Sequence, residues 1–376
     1  MSHFTRWTKG FDWILILSTL PIILGGLATM TSFGETVHFF SKQLLWVSIG
    51  FLLAFIIARS DVRFFRDSRY VLILYGISIV LLICVLIFGK TVKGAQSWFN
   101  LGGFSFQPTD IVKLAVIAVL AKYFSRRHVE IKRIQHLFIS VLYALLPIGL
   151  IMLQPDFGSA MVVGVLWLGM ALISGISKKH ILIVAGVLVV SFIIAWIGLF
   201  KPYQKARIMT FINPTSDIRG SGYNAYQSVI AVGSGGVLGK GYGHGTQSRL
   251  NYLPEYETDF IFAAFAEEWG LLGALVILAS FGVLLWRVML HATFGASNFE
   301  TLFCVGYAIL LCTHVIINVG MNIGIMPVTG IPLPFMSYGG SHLLGECIGL
   351  GMVLSMARYE RAIHPDDIHN EFLGFT

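Results

Sequence analysis

The sequence predicts an all-α polytopic membrane protein of about ten transmembrane helices, and three observations carry that expectation. Hydrophobic residues make up 56% of the chain and charged residues only 12%, with a mean hydropathy of +0.78, which does not describe a water-soluble domain. Apolar stretches near the roughly 20 residues needed to cross a bilayer recur along the chain. The basic residues gather in short clusters between those stretches, where they read as topology signals.

The first stretch, 11–32, is too long for a signal-peptide core and has no clear small-residue cleavage site after it, so it reads as a retained span. Further spans are expected at 41–58, 70–89, 108–124, 136–153, 157–176, 180–200, 259–286, 300–325 and 341–358. Positive charge marks the cytoplasmic side. Arg59, Arg63, Arg66 and Arg69 fill one connection, Lys122, Arg126, Arg127, Lys132 and Arg133 another, and Lys178 and Lys179 a third. Arg6 and Lys9 before the first span and Arg358 and Arg361 after the last agree, so both termini are expected in the cytoplasm. A single transmembrane domain, 1–376, is expected, with no sequence repeat and no sizeable soluble domain at either end.

Three segments face outward on this topology. The long loop, about 201–258, is rich in Gly, Tyr and Asn and also carries Lys201, Lys205, Arg207, Lys240 and Arg249; long loops are translocated regardless of charge. The segment 90–108 is too polar and Gly-rich to cross lipid and is expected to fold back at the outer surface. In 327–341, PVTGIPLPFMSYGGS, three prolines and three glycines forbid a continuous helix, and such backbone survives at membrane depth only against protein or a wet cavity.

Several function classes drop out. A net charge of +7 spread through topology clusters does not indicate nucleic-acid binding. Cys84, Cys304, Cys312 and Cys347 all lie in apolar segments without paired ligand spacing, so neither a disulfide framework nor a zinc site is indicated. The run GSGGVLGKGYGHG, 233–245, fails as a phosphate loop because Ser234 and Gly241 stand where Gly and Ser or Thr are required, and as a dinucleotide fingerprint because of Leu238. It reads either as a turn-rich loop or as a cradle of N–H groups for an anion.

Asp259 closes a carboxylate cluster, YLPEYETDF, at the lip of an apolar helix, where an anionic side chain is costly unless function retains it. Ala263, Ala266 and Gly270 share its helical stripe, small residues that admit the close approach of a helix or a lipid chain. Glu267 and Glu268 point elsewhere and read either as pairing with cations or backbone inside the bundle or as contacting substrate.

The block YQSVIAVGSGGVLGKGYGHGTQSRLNYLPEYETDFIFAAFAEEWG, 226–270, resembles the signature of the SEDS family of bacterial cell-wall polymerases. Its HGTQS element is similar to the RodA branch, associated with elongation, more than to the FtsW branch, associated with division. GAQSWFNLGGFSFQPTDIVK at 94–113, QPDFGSA at 154–160 and NVGMNIGIMPVTGIPLPFMSYGGS at 318–341 fit the same family. The resemblance implies a glycosyltransferase that extends β-1,4 glycan strands from lipid II, an undecaprenyl-pyrophosphate-linked substrate, at the outer face of the inner membrane. It implies a class B penicillin-binding protein as partner and no certain cofactor, with assistance by a divalent cation left open.

By the same resemblance Asp259 is the catalytic aspartate, a general base whose ionised form the helix dipole favours and which Glu255 and Glu257 tune. Lys113 belongs to the lipid II site, paired with Asp110 and binding pyrophosphate as a point charge. Trp98 either stacks on sugar or packs the folded-back segment. Gln107, Asp156, Arg207 and Lys240 complete the expected substrate contacts, although Asp156, like Gln154, Asn318 and Asn322, also reads as a helix-to-helix hydrogen-bonding group.

The chain departs from the family pattern at three places. Ser97 stands where an arginine usually precedes the tryptophan, leaving Lys93 or Arg207 to supply the charge. Thr109 and Asp110 replace Ser and Glu, and His342 follows SYGGS where a small hydroxyl residue is usual. The competing reading is a lipid II flippase or another secondary transporter, which should line a midplane path with polar groups; here they concentrate at the outer face.

Overall fold

The computed structural model describes residues 11–32, 37–92, 94–100, 102, 105–126, 134–200, 202–213, 221–250 and 252–360. Arg6, Lys9, Lys93, Arg127, Lys132, Arg133, Lys201 and Arg361 lie outside the described residues.

Helices stand at every expected span. They begin with α1 (Trp13–Thr31), α2 (Val37–Arg59) and α3 (Ser68–Phe88), followed by a three-stranded sheet of β1 (Lys90–Val92), β2 (Ala95–Asn100) and β3 (Ser105–Phe106). Then come α4 (Pro108–Arg126), α5 (Ile134–Leu153), α6 (Phe157–Ile173) and α7 (Lys178–Ile194). The long loop contains α8 (Pro202–Ile212), α9 (Ser221–Ser234) and the single turn α10 (Thr246–Arg249). The chain ends in α11 (Ile261–Thr293), α12 (Asn298–Asn322) and α13 (Gly340–Glu360).

Seven of these helices, α1, α2, α3, α5, α11, α12 and α13, are each long and apolar enough to cross a membrane. The expected spans 157–176 and 180–200 become α6 and α7, each 17 residues long. The span 108–124 becomes α4, which carries Asp110, Lys113, Lys122 and Arg126 and is buried along most of its length. A helix with charge can sit at the centre of a bundle when neighbours satisfy it, and α5, α6, α12 and α13 all pack on α4. Leu24, Leu52, Ile87 and Leu182 on outer helices are exposed instead, as lipid-facing side chains are.

The all-α, polytopic expectation holds, with two additions. Beside the helices, β1, β2 and β3 pair as a small antiparallel sheet in that order; the strands satisfy their own backbone groups where a polar, Gly-rich segment cannot form a helix. The sheet is tied to the bundle through Gln96 N, which donates to Gln154 O at 3.2 Å, while Gln154 Nε2 donates to Leu82 O at 3.2 Å. Among the described residues of 201–258, three segments are helical, α8, α9 and α10.

Backbone amides of the glycine-rich run are spent on α11 and not on a ligand. Lys240 N donates to Glu267 O and Gly241 N to Glu268 O, both at 3.0 Å, while Leu271 N returns to Gly236 O at 2.9 Å. These bonds occupy the backbone of α11 where Gly270, at φ 65°, breaks the helix. At Gly239, φ 81°, a Cβ would stand 2.0 Å from Glu268 O, so only glycine lets the two chains meet. The small stripe through Ala266 and Gly270 thus receives this turn of the long loop.

Candidate active site

Asp259 is partly buried and lies two residues before α11, in a turn rather than in the helix. Glu255 shapes that turn: at φ 55° its carbonyl accepts from both Thr258 N and Phe260 N at 3.1 Å. The non-helical stretch between α12 and α13 closes over the turn. Tyr338 N donates to Glu257 O at 2.8 Å, and Ser337 Oγ donates to Thr258 O at 2.7 Å. This stretch is packed against protein, with Leu333, Phe335 and Ser337 buried, as irregular backbone in a membrane requires.

Asn318 and Asn322, one turn apart on α12 and fully buried, hold Asp259 from below. Both side-chain amides donate to the Asp259 carbonyl, at 3.0 and 3.1 Å. Asn318 also donates to Ile331 O at 2.8 Å, and the Asn322 side-chain oxygen accepts from Ala263 N at 3.1 Å. Their bonds are to protein, in keeping with a helix-to-helix role. A Cβ on Gly330, φ 76°, would lie 3.4 Å from Asp259 Oδ2.

A cavity of about 470 Å³ opens beside this turn. Asp259, Lys113, Asp110, Trp98, Gln107, Asp156 and Arg207 all line it, together with Glu255 and Ser97. Seven of the eight residues named from the sequence therefore meet at one place although they come from four separate regions of the chain. Its volume is that of a typical ligand cleft.

Lys240 is the exception. It is absent from the lining, and its Nζ lies 2.6 Å from Glu267 Oε1 and 2.9 Å from Thr246 Oγ1. Glu267 also accepts from Gln247 N at 3.1 Å, and Glu268 accepts from Gly243 N at 3.0 Å. Lys240 and the HGTQS element thereby neutralise and hydrogen-bond carboxylates that α11 buries, which is a structural task.

Asp156 both faces the cavity and caps α6, accepting from Ser159 N at 3.0 Å and from Gln107 Nε2 at 3.2 Å. Lys113 is buried and pairs with Asp110 at 3.2 Å. Asp110 accepts in turn from Ser341 Oγ at 3.3 Å and from His342 Nδ1 at 3.2 Å. Ser97 is buried on β2 and Arg207 on α8 is exposed, so of the two substitutes expected for the missing arginine, Arg207 reaches the cavity and Lys93 lies outside the described residues.

His314 and Glu346 were not anticipated from the sequence. With His342 they form a buried group in which one ligand-type atom of each lies within 4.8 Å of the others. His342 at its position invited attention because it replaces a small residue, and Glu346 follows it at i,i+4 on α13, but nothing in the spacing joins that pair to His314 until α12 and α13 are packed on α4.

This geometry agrees with comparisons to known proteins. The family described as "Cell cycle protein", covering FtsW, RodA and SpoVE, matches residues 11–362. The chain belongs to the FtsW/RodA/SpoVE family. It is 37% identical over 352 residues to the peptidoglycan glycosyltransferase MrdB of Escherichia coli (strain K12), covering 93% of this chain and 94% of that protein. Among solved structures it is similar to the rod shape determining protein RodA of Thermus thermophilus, with a TM-score of 0.71, 30% identity and coverage of 94% and 98%. It is also similar to a chain from a peptidoglycan synthase complex reported to coordinate polymerization and crosslinking, with a TM-score of 0.81, 31% identity and coverage of 94% and 99%. The SEDS resemblance of 226–270 and its companion blocks is thus borne out along nearly the whole family member.

Proposed function

We propose that this protein is a RodA-type peptidoglycan glycosyltransferase that polymerises lipid II into β-1,4 glycan strands at the outer face of the bacterial inner membrane during elongation. The observation that carries the reading is one cavity lined by a carboxylate, Asp259, and by a buried ammonium, Lys113. Single displacement needs those two functions, a base for the acceptor and a cation for the leaving group.

The reaction is a single displacement at the anomeric carbon. Asp259 takes the proton of the acceptor hydroxyl as its oxygen bonds to the anomeric carbon of the donor. The bond from that carbon to the pyrophosphate oxygen breaks, and the electron pair leaves with undecaprenyl pyrophosphate. An α donor linkage becomes a β-glycoside, so the centre inverts. Lys113 and Arg207 offset the charge that develops on the leaving group. Asp156 and Gln107 bind and orient sugar or peptide groups, with Trp98 as a stacking face. The donor carries its own energy, which suits a site outside the cytoplasm.

We place both termini in the cytoplasm and take a class B penicillin-binding protein, a transpeptidase, as the partner that crosslinks the product. The deciding experiment supplies purified lipid II to the purified protein with that partner and resolves the products by size. Glycan ladders are expected. Movement of lipid II across a vesicle bilayer without any polymer would favour the flippase reading and end this one.

A further inference from the structure

We infer that His342 is a positioning residue for the leaving-group end of the cavity, acting as a buried imidazolium that bridges Asp110 and Glu346 and leaves the Lys113 charge available to pyrophosphate. This deepens the polymerase reading and rests on it.

The geometry fixes the protonation pattern. His342 Nδ1 lies 3.2 Å from Asp110 Oδ1 and Nε2 lies 2.7 Å from Glu346 Oε1. The Nδ1 contact is a hydrogen bond, whereas Nε2 and Glu346 Oε1 meet as a close ion pair without hydrogen-bond alignment. A carboxylate against each ring nitrogen favours the doubly protonated, positively charged ring. His314 has the opposite state. Its Nε2 lies 3.5 Å from Lys113 Nζ, a donor-only group, so it accepts and stays neutral. The two rings stack at 5.1 Å between centroids and 7° between planes, which sets the neutral ring on the face of the charged one.

The charges then close. Asp110 and Glu346 are negative, Lys113 and His342 positive, and all four are buried. Without the imidazolium, two carboxylates would surround one ammonium, and the wall of the cavity would repel an anionic leaving group. His342 itself lines the cavity beside Lys113 and Ser97, so its charge is placed where Ser97 supplies none. Glu346 is anchored independently, since its Oε2 accepts from Phe335 N at 2.7 Å.

A metal held by His314, His342 and Glu346 fits the same atoms less well. Stacked imidazoles direct their in-plane lone pairs side by side instead of toward one point, and an ammonium stands against His314 Nε2. A tetrahedral site needs converging donors and a second shell that does not repel the ion.

The test measures kcat and KM for lipid II with the purified protein and its partner. H342Q keeps a donor and an acceptor but no charge, and is expected to raise KM and cut kcat/KM by at least about tenfold, the scale of unpairing a buried charge. H342Q with E346Q removes the surplus negative charge and is expected to return to within about threefold of the natural chain, a coupling that independent sites would lack. E346Q alone, which leaves the site one charge more positive, is expected to lower KM, and it carries the test should H342Q fail to fold. Full activity in H342Q, a double variant as poor as the single, or a raised KM in E346Q overturns the proposal. So does a stoichiometric transition metal, found by mass spectrometry, that H342Q loses. K113M separates the layers: if it polymerises normally, the leaving-group reading fails; if it is inactive while H342Q is unaffected, only the bridge fails.

Discussion

Asn318 holds Asp259 by its main chain, donating its side-chain amide to the Asp259 carbonyl at 3.0 Å and thereby leaving the carboxylate to face the cavity. Asn322 repeats the contact at 3.1 Å and also receives Ala263 N. The turn that carries Asp259 is therefore clamped by α12, a different helix from the one it precedes.

Asn322→Ala is expected to lower both stability and turnover. It strands the Ala263 amide and weakens the hold on Asp259, a loss of about 1–3 kcal/mol for unsatisfied buried groups. Thermal melting of the purified protein and the initial rate of polymerisation check it. A melting temperature equal to that of the natural chain, with an unchanged rate, would remove the clamp from the account.

Gly239→Ala is expected to destabilise the protein severely, because the added carbon meets Glu268 O at 2.0 Å and the backbone is left-handed. Overpacking of this kind costs about 1–3 kcal/mol, sometimes more. Gly233→Ala, with nothing within 4 Å of its new carbon, is the control and should be tolerated. Equal yield and melting of the two variants would show that the glycine run is loose.

The contrast between those glycines also marks what sequence could and could not convey. Hydropathy was enough for the spans, and the prolines and glycines of 327–341 for the irregular stretch before α13, since lipid forces backbone groups to pair internally. The motifs around Asp259 and Lys113 singled out two residues that the fold brings to one cavity. Lys240 misled because a cation in a glycine-rich loop looks like an anion site, whereas the fold uses it to neutralise Glu267, 27 residues on. The strands at 90–106 stayed hidden because their pairing depends on a bundle surface, Gln154 included, that no local pattern reveals. The approach of His314 to the His342–Glu346 pair depends on the packing of α12 against α13 in the same way.

The topology predicts that 201–258 is outside. In a chain whose four cysteines are replaced, a cysteine at exposed Asn213 should react with an impermeant reagent in cells with a permeable outer membrane, and one at exposed Arg126 should not. Labelling of the Asn213 position only after the inner membrane is lysed would invert the orientation and move the cavity to the wrong side.

Lys113→Met should slow polymerisation far more than Arg126→Gln at equal protein levels. Lys113 is buried and faces the cavity, while Arg126 is exposed at the other end of α4. Removing one partner of a buried ion pair also costs about 3–5 kcal/mol of stability, so rates must be compared on folded protein, with Asp110→Asn in the Lys113→Met background to remove the stranded carboxylate. If this double variant polymerises as well as the natural chain, Lys113 serves only the ion pair.

Asp259→Asn should abolish polymerisation while membrane insertion and partner binding persist. The amide keeps the side chain's size and leaves the main-chain carbonyl free to accept from Asn318 and Asn322, so the turn survives. It cannot accept the acceptor hydroxyl's proton, and loss of a general base alone costs roughly a hundredfold to ten-thousandfold in rate. Glu255→Gln removes the other carboxylate of the turn that lines the cavity and should cost much less if that group only tunes the base. The assay should follow both glycan length and exposure of lipid II on the outer leaflet, since a transporter would need Asp259 for movement instead. Near-normal polymer from Asp259→Asn, with Glu255→Gln inactive, would transfer the role of base to Glu255.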